Sequence, residues 1–198
     1  MMIHAGTVDD IRWDSGQWVF LDIGFANKKR SCGLLIHNGK PSEYSFSEMY
    51  KELSQLVKSS SETINLVIEA PLSVAFDRYE NPIGRRIEKS GKEHRYWYNG
   101  LGCAVMVAAM YTIRMLNDVR PKAPIRLFEG FVSFKKKDQV SNHSRDVLAL
   151  RKIIMNPSKY ATSIIAPHAL KMNNETDKIY SALRVAGLDY GVPPVIRT

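Results

Sequence analysis

The sequence predicts an α/β fold: a central five-stranded mixed sheet with helices on both faces, spread over 198 residues. Three observations predict it. Short apolar runs rich in β-branched and aromatic residues recur with turn signals between them, as buried strands require. Longer stretches with helical spacing separate the later runs. The first three strands follow one another closely, so an antiparallel meander forms one side of an otherwise parallel sheet.

Trp18 to Gly24 (WVFLDIG) reads as a buried central strand closed by glycine. Ser31 to Ile36 is the next, followed by Asn38-Gly39 as a turn signal, and Glu43 to Phe46 completes the meander. Ser47 then caps a helix over Glu48 to Lys58. Ile64 to Ile68 (INLVI) is a further buried strand running into Glu69-Ala70-Pro71, where proline stops the ladder. Leu101 to Leu116 is apolar almost all round and reads as a helix packed on the sheet. Ile125 to Phe128 is the fifth strand, ending at Glu129. Ser144 to Ile154 is a helix, and Glu175 to Ala186 a last one, with Asn174 or Thr176 as its cap and Gly187 as its stop. No repeat or Pro/Ser-rich linker divides the chain, so one domain over 1–198 is expected, with a basic aromatic insertion at about 78–98.

The net charge of +8 favours polyanionic partners. No apolar run reaches the roughly 18 residues a spanning helix needs, no cationic amphipathic helix suits a membrane surface, and MMIHAGTVDD is not a secretory signal. A cytoplasmic protein is expected. Cys32 and Cys103 lack metal-ligand spacing, which excludes thiolate zinc chemistry and leaves two small apolar residues in a reducing compartment.

The chemistry-bearing residues are carboxylates. Asp22 interrupts an apolar strand between Leu21 and Ile23, where an unpartnered charge is costly, so a cation or metal must stand near it. Glu69 and Glu129 follow two other apolar strands. In open α/β sheets ligands collect at such strand ends. Any one of these acids is accounted for by a salt bridge; three together suit oxygen-loving divalent ions about 3.5–4 Å apart that activate water and stabilise a leaving oxygen.

The segments FLDIGFANKKRSCGLLI, LVIEAPLS, NPIGRR…RYWYNGLG, LFEGFVSFK and NNETDKIYSALRVAGLDYGVPP, in that order, resemble the RNase H-like superfamily. Within it the resemblance is to the predicted RNase H-like nucleases of uncharacterised function and to RuvC-type resolvases. It implies that Asp22 is the bridging first-strand aspartate, Glu69 a second metal ligand, Asp177 the acid at the head of the final helix, and Glu129 an accessory catalytic acid. It also implies Mg²⁺ or Mn²⁺ as cofactor. The chain departs from the family in having only Asp177 before Tyr180-Ser181-Ala182-Leu183, where paired aspartates are common. Glu175 is one substitute for the missing acid. Asp146, in HSRDVLAL, is a rival for the third ligand, although its helix aligns with the preceding, non-catalytic one.

Between Arg78 and Tyr98, the cations Arg78, Arg85, Arg86, Lys89, Lys92 and Arg95 interleave with Tyr79, Tyr96, Trp97 and Tyr98. Cations track phosphates and aromatic rings stack on bases, so Arg78, Arg85, Arg86, Arg95 and Trp97 are candidate nucleic-acid contacts. A solvated loop whose rings pack on the following helix is the plainer alternative. Lys135, Lys136 and Lys137 extend the basic surface, and His94 and His143 are candidate aids to water activation. The expected function is a metal-dependent nuclease cutting DNA or RNA by a two-metal mechanism. The alternatives are a junction resolvase acting as a homodimer and a nucleic-acid-binding scaffold that has lost its metal.

Overall fold

The run at Trp18 is buried on both faces, as a central strand must be: from Trp18 to Ile23 no residue is more than 4% exposed. The computed structural model describes residues 2–24, 29–132, 134, 142–173 and 175–198. In chain order its strands are β1 (Ile3–Ala5), β2 (Gln17–Ile23), β3 (Cys32–Ile36), β4 (Ser42–Tyr44), β5 (Ile64–Glu69), β6 (Ser73–Phe76), β7 (Pro82–Ile83), β8 (Lys89–Ser90), β9 (Glu93–His94), β10 (Ile125–Phe131), β11 (Ile164–Ile165), β12 (Lys178–Ser181) and β13 (Val195–Arg197). Its α-helices are α1 (Phe46–Ser59), α2 (Leu101–Asp118) and α3 (His143–Met155).

The main sheet runs β11-β13-β10-β5-β2-β3-β4. β2, β5, β10 and β13 are parallel, while β3 and β4 fold back as the expected meander. β1 and β13 share one edge of β10, pairing with Ile125 to Leu127 and with Glu129 to Phe131 respectively. Among the described residues the sheet therefore has eight strands rather than five. The added ones are two- and three-residue segments whose apolar content is too short to register as a periodic run. A separate sheet, β12-β6-β7, and the β8-β9 hairpin lie off the main one.

Strand alternation sorts the core into two layers. Val19, Leu21, Ile23, Ile64, Leu66, Ile68, Ile125 and Leu127 pack with α1 and α2. Trp18, Phe20, Leu35, Val67 and Phe128 pack on the opposite face against Val147, Leu150, Ile153 and Ile154 of α3. Each fully buried aliphatic side chain in these layers contributes about 1.5–3 kcal/mol.

Three expected elements differ from the sequence reading. Helix α1 begins two residues early, because Ser45 rather than Ser47 is its cap and forms a reciprocal capping box with Glu48. Helix α2 is only partly covered: Ala109, Thr112, Ile113 and Leu116 are buried, but Leu101, Val107 and Tyr111 face solvent. The expected last helix is absent. Lys178 to Ser181 pairs antiparallel with β6, and only Ala182–Ala186 coils, as a 3-10 turn that Gly187 ends at φ +72. Cross-strand pairing of Ile179 and Tyr180 outweighs the helical propensity of the segment. Among the described residues no helix is long and apolar enough to cross a membrane.

Candidate metal centre

Register assembles the site. Asp22 is the Cα partner of Glu69 in the parallel pair β2-β5 and of Gly33 in the antiparallel pair β2-β3. Gly33 in turn pairs with Glu43, and Glu69 with Gly130. Residues in register share a face, so Glu43, Gly33, Asp22, Glu69 and Gly130 form one row across five strands, spaced by about 4.8 Å per strand. Alternation from Phe20 and Val67 puts the row on the α3 face, at the carboxyl ends of β2 and β5.

Helix α3 starts directly above this row. Asn142 caps it, its side-chain oxygen accepting from the Ser144 and Arg145 amides at 2.9 and 3.3 Å. The approach is close because two strand positions carry no side chain. A Cβ at Gly33 would lie 2.7 Å from the His143 carbonyl oxygen, and one at Gly24 would lie 2.3 Å from the His143 ring. Asp146, in the first turn, heads the buried stripe that continues through Leu150, Ile153 and Ile154. Ligand oxygens of Asp22, Glu69 and Asp146 consequently lie within 4.8 Å of one another. Asp22 and Asp146 are buried, and Glu69 is half-buried.

His143 Nδ1 stands 2.8 Å from Asp22 Oδ2. That hydrogen bond raises the imidazole pKa above its ordinary value; burial opposes the shift, and the charges of Asp22, Glu43 and Asp146 reinforce it. A protonated His143 thus offsets part of the negative charge of the row. The donor set itself consists of three carboxylates, without sulfur or an obligatory nitrogen, which suits Mg²⁺ or Mn²⁺.

The structure brings Asp22 and Glu69 together and supplies Asp146, not Asp177, beside them. Asp177 is buried in a tight turn, where its carboxylate accepts from the Asn173 amide at 2.6 Å and from the Thr176 hydroxyl. Glu175 is exposed in the same turn, its amide bound to Asn173. Neither residue heads a helix, because the final helix does not form.

Glu129 is a second correction. It pairs with Ile68, not with Glu69, so it faces the opposite side of the sheet from the row. There it is fully buried with Arg85, 2.7 Å away, and accepts from the Leu72 amide at 2.8 Å. Arg85 also binds Glu88 at 2.8 Å, and both are fully buried. Arg85 is therefore the centre of an internal ion network and not a phosphate contact.

Trp97 is 8% exposed; its indole donates to the Ile83 carbonyl and packs against Phe76, so its ring is not available to a base. Arg78, Arg86 and Arg95 are exposed, as is His94, which lies against Tyr96. Lys135, Lys136 and Lys137 lie outside the described residues. Cys32 is buried, which raises its thiol pKa, and Cys103 is half-buried; both are free.

Asp146 did leave a sequence signal. It is an acid at an apolar-stripe position, four residues before Leu150 and four after a capping asparagine. Gly33 and Glu43 left none, because their place in the row depends on register between strands. Compared with known proteins, the chain matches no protein-family model, no curated protein and no solved structure.

Proposed function

We propose that this protein is a divalent-metal-dependent nuclease of the RNase H-like kind, hydrolysing phosphodiester bonds of DNA or RNA at the Asp22–Glu69–Asp146 cluster. The observation that carries the reading is the convergence of three carboxylates from two adjacent parallel strands and a helix start to within 4.8 Å. The antiparallel meander beside parallel strands and the net charge of +8 support it.

Asp22, Glu69 and Asp146 would hold Mg²⁺ or Mn²⁺, which when bound lowers the pKa of water and neutralises charge on the phosphoryl oxygens. The residues divide the remaining work. Asp22 accepts from His143 through Oδ2 and keeps a second carboxylate oxygen for the ion. His143 fixes the orientation of that carboxylate, as partners of metal ligands commonly do. Gly33 and Gly130 leave the row without side chains on either side of the acids, and α3 fills that space, which seats Asp146 beside Asp22 and Glu69. With so few protein ligands, substrate oxygens must complete the coordination, and metal occupancy should rise when nucleic acid is present.

The test is incubation of the protein with labelled single-stranded, duplex, hybrid and branched substrates in Mg²⁺, Mn²⁺ or EDTA. Cleavage in either metal that EDTA and Asp22→Asn both abolish is the expected result. Calorimetry showing no Mn²⁺ binding, with or without substrate, would overturn the metal centre and favour a nucleic-acid-binding scaffold.

A further inference from the structure

A cleft of about 530 Å³, which shares no residue with the acid row, is lined by Arg78, Tyr79, Tyr96 and Tyr98 together with Asn173 and Asp177. We propose that it is a binding site for an unstacked base of single-stranded nucleic acid. The inference rests on the nucleic-acid part of the function proposed above.

The lining chemistry selects the ligand. Tyr96 and Tyr98 are stacked at 5.2 Å with an interplanar angle of 19°, and Tyr79 is 68% exposed with the Arg78 guanidinium 4.6 Å from its centroid. Rings and a cation at one cleft are the elements that hold single strands: faces for bases and charge for phosphates. The two acids at the cleft do not make it a cation site. Asp77 is spent on the Tyr79 and Asn81 amides and the Asn81 side chain, and Asp177 on Asn173 and Thr176.

Charge complementarity points the same way. Arg78, Arg86, Lys89, Lys92 and Arg95 are all exposed in this segment; of its glutamates Glu88 is buried against Arg85, Glu80 is paired with Lys178, and the exposed Glu93 offsets only Arg95. A neutral planar ligand would use the rings but leave this cationic surplus unexplained. Gly84 holds the geometry: a Cβ there would come within 2.2 Å of the Tyr96 ring.

The experiment measures anisotropy of labelled oligo-dT, single-stranded and annealed to oligo-dA, in EDTA so that nothing is cut. Tyr79 and Tyr98 are exposed, so Tyr79→Ala and Tyr98→Ala should fold normally by circular dichroism. Each loss of a stacking ring should weaken single-strand binding by about 5- to 140-fold. Tyr98→Phe should restore it, and duplex binding should barely change. Arg78→Ala should flatten the salt dependence by about 0.7 for one lost phosphate contact. Single-strand affinity unchanged in both alanine variants overturns the proposal, and so does an equal loss for duplex. Binding that needs the tyrosines in a protein that cuts nothing keeps the cleft and removes the nuclease. Metal-dependent cutting with tyrosine-independent binding does the reverse.

Discussion

Two groups of acids sit on opposite faces of one sheet and have been resolved in opposite ways. On the α3 face, Asp22, Glu69 and Asp146 gather, and Asp22 meets a half-buried histidine that can gain or lose a proton. On the other face, Glu129 and Glu88 meet a permanently charged arginine in a pocket with no exposure at all. Glu69 and Glu129 end apolar runs in the same way, and what separates their fates is a single residue of register. The lesson is that an acid beside an apolar strand announces a charge needing a partner, while the strand's neighbours decide whether that partner is internal.

The largest effect is expected at Asp22. Asp22→Asn should lower metal-dependent cleavage at least about 100-fold, with circular dichroism and denaturant midpoint close to wild type, since relief of repulsion among the acids opposes the weakened contact with His143. Cleavage at the wild-type rate would remove the α3-face group from function altogether.

The opposite pattern is expected at Arg85. Arg85→Met leaves two carboxylates buried without their cation, and should cost about 3–5 kcal/mol in urea unfolding. Cleavage per folded molecule should hold. A drop in cleavage with stability intact would transfer the catalytic role to the buried network.

The glycines of the row give a smaller, graded effect. A Cβ at Gly33 meets backbone of α3, which cannot move without lifting the helix start; one at Gly130 meets the end of the Leu150 side chain at 2.9 Å. Gly33→Ala should therefore cost about 1–3 kcal/mol and weaken Mn²⁺ binding, with Gly130→Ala costing less. Calorimetry on both variants, beside their unfolding curves, sharpens how far the site depends on the seating of α3.

The subtlest effect is in pH. The folded imidazole of His143 titrates above its unfolded value of about 6.5, so its contribution to stability is full below that value and is lost as pH rises through the folded pKa. In EDTA, the stability gap between wild type and His143→Gln should be widest near pH 6 and narrow toward pH 9. A gap independent of pH would mean that the ring acts by packing alone.

Much of the fold was legible because it depends on local pattern. The strands at Trp18, Ser31, Ile64 and Ile125 all announce themselves as apolar runs, and Asp22 and Glu69 stand out against them. What the sequence did not disclose is relational. That Glu129 opposes Ile68 follows from pairing, not from its own neighbours in the chain. The burial of Arg85 depends on Glu129, 44 residues away, and nothing in the arginine-rich interval sets it apart from Arg86. Residues 178–181 carry helical spacing but form a strand, because their β-forming side chains find a partner strand about 100 residues earlier. Asp146 stands out at a stripe position of α3, but its approach to Asp22 depends on how that helix seats on the sheet.

The row of acids and glycines also bears on how the strands choose their alignment. Sliding β5 by one residue against β2 would turn Glu69 toward the aliphatic layer under α2 and bring Ile68 to the carboxylate face. The same slip of β3 would replace Gly33 with Cys32 or Leu34 beneath the start of α3, where a Cβ already finds no space. The charges and the missing side chains therefore penalise a one-residue slip of either strand. An ion bound by Asp22 and Glu69 would reward the same alignment, so metal loading and correct strand pairing should rise together during refolding.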